Sequence, residues 1–108
     1  MQLNEAHCTA CHGGTPPLDE VRAGQLLAEI SGWAIEQGVL VRAFTFKNYY
    51  ETLAFVNAVA WIAHREDHHP DIDFSYKTCR IRYRTHNIGG LSENDFICAA
   101  KINALLSG

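Results

Sequence analysis

The stretch HREDHHPDIDFSYKTCRIRYRTH, residues 64–86, decides the architecture and carries four of the six histidines in the chain. Pro70 disfavours helical geometry at the residue before it, so a helix running through His64 has to end near His68. The adjacent pair His68 and His69 then point in different directions. Beyond the break the pattern alternates. Cys79, Ile81, Tyr83 and Thr85 fall on one face of a strand, and Arg80, Arg82, Arg84 and His86 on the other. One face suits a core and the other is polar, with a further short strand possible at DIDF.

Upstream, Asn48 and Glu51 stand in capping-box spacing, and Leu53, Val56, Val59, Ala60 and Ala63 recur at helical intervals. A helix is expected over about residues 49–67, which sets His68 at its C-terminal end. Before it, Trp33 and Ile35 alternate up to Gln37-Gly38, and Leu40, Phe44 and Phe46 share a parity, which describes a β-hairpin with one apolar face. Asp19 can cap an earlier helix striped by Leu18, Val21, Leu26, Leu27 and Ile30. Downstream, Gly89-Gly90 makes a loop, and Ser92 with Asp95 opens a last helix containing Phe96, Ala99, Ala100 and Ile102. Residues 1–17 hold Gly-Gly and Pro-Pro pairs that oppose regular structure, so they read as a flexible lead-in to a single domain over residues 18–108.

The order helix, hairpin, helix, strand, helix points to an α+β fold, an antiparallel sheet with about three helices packed on one face. At 108 residues there is room for one core and one site. An apolar content of 47% and a charged content of 19% are those of an ordinary globular chain. The net charge of −3 supplies no general attraction to nucleic acid. The longest apolar run falls short of the ~20 residues that span a bilayer. MQLNEAHC lacks the basic and apolar segments of a secretory signal, so a cytoplasmic protein is expected, with its four cysteines free or acting as ligands.

Histidine is the side chain best matched to proton exchange near neutrality, with an ordinary pKa of about 6.5. Two adjacent histidines on their own are weak evidence, since a polar helix end accommodates them without function. A chelating pair is a second reading of His64 and His68, four residues apart, joined by Asp67 or Asp71. The zincin pattern is not met, because Arg65 stands where glutamate is required. The lead-in motif CTACH, with Cys8, Cys11 and His12, formally matches covalent haem attachment, which needs an exported chain. A zinc clip completed by His7 or His12 suits thiolate spacing better, against the simpler reading of a mobile, reduced loop. The arginine stripe lacks an aromatic platform, because Tyr83 has the opposite parity, so a solvated or subunit-facing surface is expected. Asp95 can serve as a helix cap or orient a histidine. Trp33, Trp61 and the hairpin phenylalanines read as core.

The intervals taken together are more specific than any piece. His64, three residues, His68-His69-Pro70, five residues, Tyr76, nine residues, His86, eight residues, Asp95: this spacing resembles the signature of the pterin-4a-carbinolamine dehydratases. CTACHGGTPPL and the Gly-Trp before the hairpin are also similar to bacterial members. The resemblance implies a four-stranded antiparallel sheet, assembly into homodimers or homotetramers, and loss of water from a 4a-hydroxytetrahydropterin left by an aromatic amino acid hydroxylase. It implies no cofactor and no metal. Carried over, it makes His68 and His86 the acid/base pair, His69 a pterin-positioning residue that assists them, and Asp95 the group completing the catalytic set. Pro70 fixes the turn, so that His68, His69, Pro70 and His86 contact substrate. His64 occupies a position that is acidic in many members. Relatives of this fold also act as transcription cofactors and as Rubisco assembly factors, which gives a non-catalytic binding module as the alternative. Strand parity sets His86 on the arginine side, so the site is expected at the strand end, where residues 87–90 break the strand.

Overall fold

The computed structural model describes residues 2–11 and 13–107; His12, one of the lead-in ligand candidates, lies outside them. Three α-helices, α1 (Glu20–Leu27), α2 (Tyr49–Glu66) and α3 (Glu93–Leu105), accompany four strands, β1 (Ala34–Glu36), β2 (Val39–Thr45), β3 (Asp71–Phe74) and β4 (Thr78–Tyr83). The strands form one antiparallel sheet in the order β1-β2-β4-β3. The α+β reading holds, and DIDF forms β3, which brings the strands to four.

The hairpin turns as its residues require. Gln37 and Gly38 both have positive φ, 53° and 75°, between the paired residues Glu36 and Val39. Positive φ at both central positions is the type I′ geometry that matches strand twist. Register then puts Leu40, Phe44, Cys79, Ile81 and Tyr83 on the same face, where all are buried. Phe44 and Phe46 both pack on Phe55 of α2, with ring centroids 4.7 and 4.9 Å apart.

Local chemistry sets the helix ends. Asn48 accepts the Glu51 amide at 2.9 Å, and the Glu51 carboxylate reaches past the cap to the Lys47 amide at 3.0 Å. α2 ends at Glu66 because Asp67 turns left-handed, with φ 50°. The His68 amide then donates to the Ala63 carbonyl at 3.1 Å and that of Asp67 to His64 at 3.3 Å, the Schellman pattern. His68 therefore sits one residue beyond the left-handed turn, and not in the last helical turn as the sequence suggested.

The buried stripe of α2 is Thr52, Phe55, Val59 and Ala63, rotated from the predicted one, with Ala60 exposed. Trp61 lies on the outer side, 60% exposed and 5.4 Å from the His64 ring, so it is not core. Val21 is likewise outward, 72% exposed, while Ala23 and Leu26 carry the burial of α1. Trp33 does belong to the core; its indole N–H donates to Asn103 Oδ1 at 2.8 Å. The lead-in, expected to be flexible, is irregular apart from a 3-10 turn at Leu3–Glu5, and it is hydrogen-bonded along α3. Its Thr9 amide donates to Asn94 Oδ1 at 3.0 Å, and Lys101 Nζ donates to the Asn4 carbonyl at 3.0 Å.

The two tryptophans separate the buried face from the exposed one in a direct test. Trp33→Ala should cost about 3–5 kcal/mol of stability in urea denaturation, and Trp61→Ala no more than about 0.5 kcal/mol.

Candidate active site

Asp95 is the geometric centre. It lies in the first turn of α3 and is fully buried, yet both of its carboxylate oxygens are occupied. Oδ1 lies 2.6 Å from His68 Nε2. Oδ2 accepts from the Thr85 hydroxyl and from the Ser92 backbone amide, each at 2.9 Å. Ser92 Oγ is 2.7 Å from Thr85 Oγ1, which extends the chain of hydroxyls. One side chain thus joins the loop after α2, the segment after β4 and the start of α3. The capping-box spacing of Ser92 and Asp95 and the orientation of a histidine are both realised by the same carboxylate.

His68 is fixed by more than this bond. Its ring stacks on Tyr83, with centroids 5.2 Å apart and planes 14° from parallel. The Tyr83 hydroxyl donates to the His68 carbonyl at 3.2 Å. A carboxylate can only accept, so Nε2 carries the proton of that contact and Nδ1 is the nitrogen left to exchange protons with a ligand. Burial pulls the His68 pKa down, but the hydrogen bond and charge of Asp95 outweigh it, and the net direction is upward. The His68 side chain retains 13% exposure, an opening onto a carboxylate with none.

The other predicted residues lie around this pair. His69 is exposed and Pro70 half-buried, immediately before β3. His86 is exposed and opens a 3-10 turn, His86–Ile88, directly after Thr85. Thr85 pairs with Gly90 across that turn, its amide donating to the Gly90 carbonyl at 2.8 Å. β4 therefore ends at Tyr83, earlier than the alternation through His86 suggested, and His86 belongs to the turn and not to the strand. Asp95 bonds directly to His68 and to Thr85, the neighbour of His86; His69 and His86 do not join that network. The His64 ring lies 5.4 Å from that of Trp61, tilted by 37°.

Sequence reasoning missed Thr85 and Tyr83 as supports, although their inward parity was legible, while the capping-box pairing of Ser92 with Asp95 was expected. Among the described residues, no group of three or more His, Cys, Asp or Glu side chains converges to hold a metal ion. The arginine stripe is partly neutralised, since Arg82 pairs with Asp73 at 2.7 Å, and Arg84 Nε is buried with no partner among the described residues. None of the described helices is long and apolar enough to cross a membrane.

With a histidine–carboxylate pair held at the end of a four-stranded sheet, the fold and site define a small α+β domain built around a buried ion pair. The chain belongs to the pterin 4 alpha carbinolamine dehydratase family, whose model matches residues 16–105. It is 55% identical over 104 residues to a Nitrosomonas europaea protein provisionally named pterin-4-alpha-carbinolamine dehydratase, covering 95% of this chain and 92% of that one. A Nitrosospira multiformis protein with the same provisional name is 57% identical over 103 residues, covering 95% and 91%. Among solved structures, a transcriptional coactivator/pterin dehydratase from Brucella melitensis superposes with a TM-score of 0.81 at 28% identity, covering 84% of this chain and 99% of that one. A pterin dehydratase-like protein identified as a RuBisCO assembly factor in the alpha-carboxysome gives a TM-score of 0.58 at 26% identity, over 70% and 88%.

The raised His68 pKa makes the pair a pH-dependent stabiliser. A histidine whose folded pKa exceeds its unfolded value contributes stability that is complete below about pH 6.5 and lost as pH rises through the folded value. Asp95→Asn should therefore show its largest deficit against the parent chain near about pH 6 and a smaller one near about pH 9, as read by urea denaturation. The Ser92 and Thr85 contacts leave a remainder at high pH. A deficit independent of pH would contradict the ion pair.

Proposed function

We propose that this chain is a 4a-hydroxytetrahydropterin dehydratase that eliminates water by histidine acid/base catalysis and releases quinonoid dihydropterin. The observation that carries the reading is the 2.6 Å contact between His68 and the buried Asp95 in a chain of this family. In the reaction the C4a–O bond breaks, the departing oxygen takes a proton to leave as water, and a ring nitrogen gives one up. Both transfers suit imidazole, and neither requires a cofactor.

In this reading His68 is the proton donor, because Asp95 favours its imidazolium form and Nδ1 is free to meet the leaving oxygen. His86 is the acceptor, His69 orients the pterin with help in proton transfer, and Pro70 holds the turn that carries the pair. Asp95 acts through His68. Self-association as a homodimer or homotetramer belongs to the same proposal, supported by the open edges at β1 and β3. So do a cytoplasmic setting and supply of the substrate by an aromatic amino acid hydroxylase.

The likeness to the RuBisCO assembly factor favours a second reading, a binding module with no turnover. Stopped-flow dehydration of freshly generated 4a-hydroxytetrahydropterin separates the two. The chain should accelerate the loss of water, and His68→Gln or His86→Gln should each reduce kcat by about 10²–10⁴-fold. The rate should also fall as pH rises through the His68 pKa. Full activity in both variants would remove these assignments, and no acceleration by the parent chain would favour the binding module.

A further inference from the structure

The lead-in brings together two sulfurs for which the proposed dehydration has no use. Cys8 Sγ lies 3.6 Å from Cys98 Sγ across a sequence separation of 90 residues, and both are free thiols. Cys98 is fully buried in α3, whereas Cys8 is half-buried. Cys8 is held in place from two sides. Its amide donates to Glu66 Oε1 at 2.7 Å, and the neighbouring Thr9 exchanges hydrogen bonds with the Asn94 side chain at 3.0 and 2.6 Å. Glu66 is itself nearly buried; its pKa is raised by burial but lowered more by the Cys8 amide, His7 and Lys101. The lead-in also meets the turn that carries His86, where the Asn87 side-chain amide donates to the Cys11 carbonyl.

We propose that Cys8 and Cys98 form an oxidisable dithiol whose disulfide locks the N-terminal lead-in onto α3, beside the turn that carries His86. The oxidant is a hydroperoxide, here hydrogen peroxide. The Cys8 sulfur, the one open to solvent, attacks a peroxide oxygen. The O–O bond breaks, one water leaves, and Cys8 becomes a sulfenic acid. The Cys98 sulfur then attacks that of Cys8, the S–S bond forms, the S–O bond breaks, and the second water leaves. Two thiols surrender two electrons and two protons, and the peroxide takes them up.

Exposure sets this order, while acidity opposes its first step and favours its second. The hydrogen bond between the thiols raises the Cys8 pKa and lowers that of Cys98; burial opposes the second effect, and Tyr83 and His68 reinforce it. Cys98 is thus the better resolving thiolate. A disulfide length of about 2.05 Å requires the sulfurs to close by roughly 1.5 Å. The backbone from Ala6 to Cys11 is irregular, so it can shift by that distance more readily than α3. No other described cysteine shows such a contact: Cys79 is buried in β4, and Cys11 Sγ lies near Asn94 Nδ2 at 3.5 Å.

The test treats the full chain with hydrogen peroxide, alkylates the remaining thiols after unfolding, and maps the peptides by mass spectrometry. A Cys8–Cys98 peptide lacking two hydrogens and restored by dithiothreitol is expected, with Cys11→Ser forming it equally well and Cys8→Ser or Cys98→Ala not at all. Hydrogen exchange at the Cys8 and Thr9 amides should slow about tenfold in the oxidised chain. A Cys8–Cys11 bridge, a bond between chains, or over-oxidised Cys8 with Cys98 still alkylated would overturn the dithiol. A cross-link with no change in exchange would overturn the lock.

Discussion

A carboxylate with no solvent exposure is the constraint on which this structure turns. Stripping an ion of water costs several kcal/mol unless hydrogen bonds replace the lost hydration. Asp95 meets that requirement with three donors from three segments, His68, Thr85 and Ser92. Satisfying it draws the end of α2, the end of β4 and the beginning of α3 to one point. Loss of any one donor would leave part of the charge uncompensated, so the packing of those segments and the orientation of the imidazole are set by the same condition. Tyr83 then closes one face of the ring, and its hydroxyl holds the backbone of the residue it stacks upon.

Much of this was legible because it follows from periods and breakers. The alternation of residues 79–85 fixed which face of β4 is buried, Pro70 marked a nearby helix end that the left-handed Asp67 actually makes, and the two capping spacings marked real helix starts. What was lost is the rotation of helices about their axes. Apolar residues at helical spacing do not say which of two overlapping stripes meets the sheet, and α2 resolves this by turning Thr52, Phe55, Val59 and Ala63 inward and Trp61 outward. Thr52 is the informative case. A polar residue was passed over as core, yet its hydroxyl donates to the carbonyls of Asn48 and Tyr76, so it can be buried without an unpaired group.

The lead-in was opaque for a related reason. Gly and Pro pairs predict irregular backbone, and irregular backbone needs partners when it packs. Those partners are side chains far away in sequence: Glu66 for the Cys8 amide, Asn94 for Thr9, and Lys101 for the Asn4 carbonyl. Asn94 and Glu66 lie beside Asp95 and His68 in the chain without carrying an evident pattern, so only the assembled structure explains their burial. Irregularity and attachment are separate properties, and composition reports the first alone.

The sheet register also constrains where the three histidines lie. Asp71 pairs with Arg82, and continuing the alternation of β3 backwards sets His69 on the open, arginine face and His68 on the helix face. The bond from His68 to Asp95 agrees with that side. His86 shares the arginine parity but lies just after the last inward residue, Thr85, where a 3-10 turn ends the alternation. The two members of the adjacent pair are thus divided by the sheet edge, with one imidazole braced from behind by a buried carboxylate and the other open to solvent. This geometry also explains the proline after the pair. Pro70 disfavours helical geometry at His69, so the chain is steered toward the extended course of β3, along which neighbouring side chains diverge.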